Sequence, residues 1–330
     1  MDRNGSRFAI LTLGAAAAIA AAAPPPADFP IRAAQWLDPP QRITALSSQP
    51  NECALVPRDA GQRQLFEIGR AAFRAPLLLG GQAARSGLNC ASCHSNGRRN
   101  PAFDFPGLSG DPGTADVTSS LMSSHRGNAV FDPRTIPDLA LPGKVSRARG
   151  DLALETFIHG LIVEEFDGAE PPGLILQGLG TYVRAIGRPG CDRIARMPLR
   201  LAAMTGDASR AVAASSSVWR SGDTAAARLL LSSARSVLGL IHERYAGPRL
   251  ASDRLALLRA DLGLLAVEQA MDRKDAQIPR MLAAWQADMP RWTAPLARDE
   301  ARALFAEANL SRSLAVSSRQ PPAHDAGSPH

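Results

Sequence analysis

Cys90-Ala91-Ser92-Cys93-His94 is the stretch on which the reading of this chain turns. Two thiols one helical turn apart, with an imidazole directly after them, match the geometry of covalent haem attachment. Both sulfurs add to the vinyl groups of one porphyrin, and the histidine ligates its iron. Other uses of Cys-x-x-Cys need different surroundings. A thioredoxin-type dithiol needs a βαβ setting, and no strand-like alternation flanks Cys90. A four-ligand zinc site needs a second Cys or His pair at short spacing, and none follows. The expected cofactor is one haem c, held by Cys90 and Cys93 with His94 as proximal ligand.

The N-terminus agrees with this chemistry. Arg3 and Arg7 precede a 16-residue apolar stretch from Phe8 to Ala23, followed by Pro24-Pro25-Pro26. That is the layout of a secretory signal, cleaved near Ala21 to Ala23, and it is shorter than the ~20 residues needed to span a bilayer. A periplasmic protein without stable membrane insertion is expected. The formal net charge of +6 falls to +5 when Arg3, Arg7 and Asp2 leave with the signal, two positive charges and one negative. This modest, arginine-borne surplus is not clustered and gives no reason to expect nucleic-acid binding. In an oxidising compartment the remaining cysteines, Cys53 and Cys191, are expected to form a disulfide around the haem region. A loop of that length contributes roughly 4–5 kcal/mol in the chain-entropy model.

Along the chain, 1–23 reads as signal and 24–61 as a Pro-rich extended lead-in. Leu65, Gly69, Ala72 and Phe73 mark one face of a helix that stops before Pro76. A second helix runs from about Leu174 to Ile186, with Ile175, Leu179, Tyr182, Val183 and Ile186 on its apolar face. Gly69 predicts a close crossing of these two helices, with Tyr182 filling the contact. Gly178-x-Gly180 is half a nucleotide-binding fingerprint with no strand before it, and carries no such function.

Residues 193–316 read as a helical bundle. Its stripes are Leu230 to Tyr245 after a cap at Asp223, then Leu255, Leu258, Leu262 and Leu265, then Ile278 to Trp285, and a last helix holding Leu304 and Phe305. Residues 317–330 read as a polar, disordered tail. The overall class is all-α: a small haem domain over 62–192, then the bundle.

The helix carrying Leu65-Phe66-x-x-Gly69, the Cys-x-x-Cys-His run, and a terminal helix ending Tyr182-Val183-Arg184-Ala185 resemble a small all-α cytochrome c domain. The middle is similar, more specifically, to the haem domains of bacterial di-haem cytochrome c peroxidases. Ile136-Pro137-Asp138-Leu139 occupies the place of that family's Val-Pro-Ser-Leu segment. Arg149-Gly150-Asp151-Leu152-Ala153-Leu154-Glu155 loosely echoes its His-Asp-Gly-Arg and Thr-Leu-Glu-Glu elements. The resemblance covers about residues 62–190. It departs from the family in having one Cys-x-x-Cys-His rather than two, so a two-haem relay cannot be built from this chain alone.

The iron's distal side decides between functions, because a closed site favours electron transfer and an open one permits peroxide or gas chemistry. His125 is the first candidate for distal ligand, with Met122 and His159 as alternatives, 31, 28 and 65 residues after His94. Arg126 and Arg134 are candidate partners for the haem propionates. Phe103, Phe105 and Pro106 are candidate shields of the haem edge. The expected function is single-electron transfer with a periplasmic partner protein. A peroxidase-like enzyme, with Arg126 or Glu164 and Glu165 assisting, is the alternative, and a haem-based sensor the third.

Overall fold

The computed structural model describes residues 31–119, 121–187 and 195–317 and is mostly helical. Short elements come first: α1 (Arg42–Ser47), β1 (Ser48–Pro50), α2 (Ala60–Ala72), α3 (Pro76–Leu79), α4 (Gly81–Ser86) and α5 (Cys90–Cys93). The middle holds the two-residue strands β2 (Thr114–Ala115) and β3 (Arg134–Thr135), followed by α6 (Ala153–Gly160) and α7 (Gly173–Ala185). β4 (Arg196–Pro198) leads into α8 (Leu201–Arg220), α9 (Thr224–Arg244), α10 (Ala251–Asp272), α11 (Ile278–Asp299) and α12 (Glu307–Ser317).

Asp59 starts α2 by accepting the Gln62 N–H at 2.9 Å. The helix then crosses α7 so closely that a Cβ on Gly69 would lie 1.9 Å from the Gly178 carbonyl oxygen. Two glycines, one on each helix, make that approach possible. The expected crossing is present, and Gly178 belongs to packing rather than to nucleotide binding. Tyr182 is fully buried beside it, between Phe66 and Phe73, with its hydroxyl donating to Glu52 Oε1 at 2.7 Å.

On its other side α2 packs against α8 and α9, so one apolar core runs from Phe66 and Tyr182 through Val212 and Leu230 to Trp285. The C-terminal helices therefore buttress the region holding the Cys-x-x-Cys-His run. Ser233 on α9 donates to the Ala71 carbonyl at 2.8 Å, which fixes the register of that seam. Asp223 caps α9 as expected, accepting from the Ala226 N–H at 2.9 Å. α9 is long and apolar enough to cross a membrane by length and composition. Here Leu230, Leu231, Ala234 and Ile241 are buried inside the bundle.

Three sequence expectations are corrected. On α10 the buried face is Leu257, Ala260, Leu264 and Val267, while Leu255, Leu258 and Leu262 are 45%, 47% and 50% exposed. The helix carries leucine on two faces, and the positions of α9 and α11 select one. Leu304 and Phe305 lie in a turn, because α11 continues through Pro290 and Pro295 to Asp299. The lead-in is not extended: residues 31–50 fold into short helical turns, α1 and β1. They bury Ile31, Trp36, Leu37 and Leu46, part of this set packing on Leu304 and Leu310. Arg244 ties the same seam, donating to the Leu46 carbonyl at 2.8 Å and the Leu304 carbonyl at 3.2 Å.

The start and end of the haem-motif region meet through backbone. β1 pairs antiparallel with β4, Gly187 N–H donates to the Cys53 carbonyl at 3.1 Å, and Asn51 N–H donates to Ala195 at 2.8 Å. Cys191, the expected partner of Cys53, lies outside the described residues.

Candidate haem-attachment site

The motif forms one helical turn, α5, docked on the end of α2 by the Ala91 N–H, which donates to the Phe73 carbonyl at 3.2 Å. Asn89 N–H donates to Ser92 Oγ at 3.1 Å, and the chain folds back at once. Asn100 N–H donates to the Cys93 carbonyl at 2.9 Å, and its side chain donates to the Ser92 carbonyl at 2.9 Å. Cys90 and Cys93 therefore stand at the first and last positions of a turn anchored at both ends. Both are unbridged thiols, half-buried against an apolar cluster of Trp36, Leu79, Leu88, Phe103, Leu108, Met122 and Ile136. Burial pushes both thiols up to about 12, so neither is a thiolate at neutral pH. That is unlike a redox dithiol, whose attacking cysteine is held low.

His94 follows with its ring 6.4 Å from Phe73, centroid to centroid. Its Nδ1 lies 3.0 Å from the Pro137 carbonyl oxygen. A carbonyl only accepts, so Nδ1 carries the proton and Nε2 keeps its lone pair. Burial lowers the imidazole to about 4, against the opposing pull of the Pro137 hydrogen bond, which keeps it neutral at physiological pH. A metal-ligating histidine has these properties: a fixed tautomer, a fixed ring plane and one free nitrogen. The donor set therefore fits a haem iron on the His94 side. Among the described residues, no group of three or more His, Cys, Asp and Glu converges as a metal cluster.

The three distal candidates occupy different settings. Met122 is 1% exposed and shares the apolar cluster against which Cys90 and Cys93 pack. The His125 side chain is 62% exposed, with Nε2 3.8 Å from Asp167. His159 is on α6, 34% exposed, with Nε2 2.7 Å from Glu170. Only Met122 is brought together with the cysteines. The segment carrying it is strapped to the π-helical turn Leu161–Glu165 and the residues after it. Ser123 Oγ donates to the Glu164 carbonyl, Ser124 N–H donates to Asp167 Oδ1 at 2.8 Å, and Arg126 pairs with Glu164.

Of the other candidates, Arg126 also reaches Glu165 at 3.4 Å, and burial pushes that carboxyl above the usual range. Arg134 is 82% exposed and paired with Asp132 at 2.7 Å. Phe103 is fully buried in the Met122 cluster, and Phe105 packs on its margin, 6.3 Å from Trp36.

Sequence reasoning missed two polar connections. Arg98, buried, donates Nε–H to Asp138 Oδ2 at 2.8 Å. Arg74 bridges Asn96 Oδ1 at 2.7 Å and Glu52 Oε1 at 3.2 Å, and approaches Asp207 of α8 at 3.5 Å. Partners more than 20 residues apart leave no trace in a local pattern. The chain matches no protein-family model, no characterised protein sequence and no solved structure, so the chemistry of the site rests on its own residues.

Proposed function

We propose that this chain is a periplasmic mono-haem c-type cytochrome that exchanges single electrons with a partner protein. One observation carries the reading: His94, directly after a Cys-x-x-Cys turn, has Nδ1–H committed to the Pro137 carbonyl and Nε2 free. Cys90 and Cys93 would hold the porphyrin through thioethers, and His94 would be the proximal ligand. Haem bound in this way supplies a one-electron Fe(III)/Fe(II) couple. The protein's part is to fix the ligands and keep water away. Trp36, Phe103, Leu108 and Met122 form a dry wall beside the cysteines, and a dry surround raises a haem potential by disfavouring the extra charge of Fe(III).

Met122 replaces His125 as the first choice for distal ligand. A buried thioether inside the cluster needs no desolvation on binding iron, whereas His125 and His159 already have carboxylate neighbours near the solvent. Optical spectra of the ferric and ferrous protein test this. A low-spin iron indifferent to carbon monoxide is expected, becoming high-spin and carbon-monoxide-binding in Met122→Ala. A spectrum changed by His125→Ala or His159→Ala instead would reject Met122.

The peroxidase-like alternative has one observation in its favour. Glu165 is buried with one carboxylate oxygen unpartnered, and its other oxygen lies 3.4 Å from Arg126, four residues after Met122. That pair offers a proton acceptor and a cation near a displaceable ligand. Rapid reaction of the wild-type ferric protein with peroxide would favour this reading over the electron carrier. Export also implies the Cys53–Cys191 disulfide. It is supported by the backbone of residues 51–55 running beside Ala185–Gly187 and Ala195, and thiol titration of denatured, unreduced protein tests it. With Cys90 and Cys93 held as thioethers, no free thiol is expected in the haem-loaded protein, and two would reject the pairing.

A further inference from the structure

We infer that Arg98 is a positioning residue for His94: it acts through Asp138 to hold the Pro137 carbonyl on the imidazole Nδ1–H, and so sets the electron donation of the proximal ligand. The inference rests on the haem reading above.

The Pro137 peptide supplies the carbonyl that accepts from His94. Pro137 has no N–H, and its ring fixes φ, so its carbonyl direction depends on the residues on either side. Upstream, the Ile136 N–H donates to the Gly113 carbonyl at 3.0 Å, with the Ile136 side chain buried. Downstream, the Leu139 N–H donates to the Gly97 carbonyl at 3.0 Å. Asp138 lies between, its Oδ1 accepting the Ala140 N–H at 2.9 Å and its Oδ2 accepting Arg98 Nε–H at 2.8 Å.

Arg98 is itself fixed by the haem motif. Its N–H donates to Ser95 at 2.9 Å, at the end of a tight turn that starts at His94. Within that turn Gly97 has φ +77° and sits where a Cβ would be 2.6 Å from Ile186, so the backbone has no room to shift outward. One side of the His94–Pro137 hydrogen bond is thus carried by residues 95–98, the other by residues 136–140. The Arg98–Asp138 pair is a side-chain link between the two. Both partners are largely buried, with side-chain exposures of 5% and 12%, so the link is shielded from competing water.

The chemical consequence is directional. A well-aligned Nδ1–H···O=C bond makes the imidazole a stronger donor, which favours Fe(III) and lowers the potential. Loosening the carbonyl weakens that bond and raises the potential. Charge alone is separated from positioning by two variants that leave the net charge of the pair unchanged. Arg98→Lys keeps the cation but has no planar fork to offer Asp138. The double variant Arg98→Met with Asp138→Asn removes both charges together.

The test measures the haem potential of the holoprotein and the hydrogen exchange of the His94 Nδ1–H by NMR. Both variants are expected to raise the potential and to speed the exchange. If the double variant does not fold, Arg98→Lys carries the test. Wild-type potential and exchange in a folded variant would overturn the inference while leaving the haem reading intact. A chain that never acquires haem would overturn both.

Discussion

The bundle and the haem-motif region are built by different rules. Between α8 and α12 nearly every residue is helical, and the contacts are apolar side chains at helical spacing. Among the described residues between Arg98 and Leu152 the regular structure is two strands of two residues each. That stretch is held by short polar ties. Buried Asp116 accepts Thr118 N–H at 3.0 Å, Thr118 Oγ1–H at 2.7 Å and Asp132 N–H at 3.3 Å. Ser109 Oγ donates to the Thr114 carbonyl at 2.8 Å and accepts the Phe105 N–H at 3.0 Å. A repeating apolar stripe makes a rigid scaffold but cannot aim one carbonyl at one nitrogen. Irregular backbone can, and it carries both Pro137 and Met122. α2 belongs to both regions, and through it the scaffold supports the site.

The α2–α7 seam is most vulnerable at Gly69. Gly69→Val would drive a branched side chain into the Gly178 carbonyl, and α2 would separate from α7. A loss of at least about 4 kcal/mol is expected, enough to leave little folded protein, and denaturant unfolding or soluble yield measures it. A variant of near wild-type stability would mean the two helices do not cross at this point.

Next come paired truncations, one in each region. Met122→Ala and Leu264→Ala each delete a buried side chain and should each cost about 2–5 kcal/mol. They differ at the iron: only the Met122 change should alter its spectrum. Met122→Leu sharpens the contrast, with a stability change below about 1.5 kcal/mol and the same spectral change as alanine.

The pH dependence is smaller. His94 lies near 4 in the folded protein and near 6.5 when unfolded, so between those values the unfolded chain binds more protons. The stability of haem-free protein should therefore fall as pH drops from about 6.5 toward 4, by at most about 3 kcal/mol from this group. His94→Gln should remove that part of the slope, and unfolding curves at several pH values would show whether it does. Smallest is Leu262→Ala on the exposed face of α10, expected within about 0.5 kcal/mol of wild type. A loss comparable to that of Leu264→Ala would restore the sequence-based choice of face.

What was legible in the sequence follows the same division. The Gly69 crossing with Tyr182 and the Asp223 cap were readable because each rests on residues close together or on a strong period. The α10 face was not, because leucines at 255, 257, 258, 262, 264 and 265 satisfy two stripes and only tertiary partners choose between them. Residues 31–50 gave no period, since their turns are stabilised by contacts to Ala102, Leu304 and Leu310. At the site, the cysteines and His94 were legible as a contiguous motif. The His94–Pro137 bond spans 43 residues of separation and the Arg98–Asp138 pair 40, distances over which no spacing rule operates. Among the distal candidates, burial is what the sequence does not show: Met122 is 1% exposed, whereas the His125 and His159 side chains are 62% and 34% exposed.

The most direct test is the mass of the mature chain produced with a c-type maturation system and digested to peptides. The fragment containing residues 90–94 should carry one haem that survives acid and denaturant. A colourless product, or a fragment with two unmodified thiols, would contradict the account at its centre.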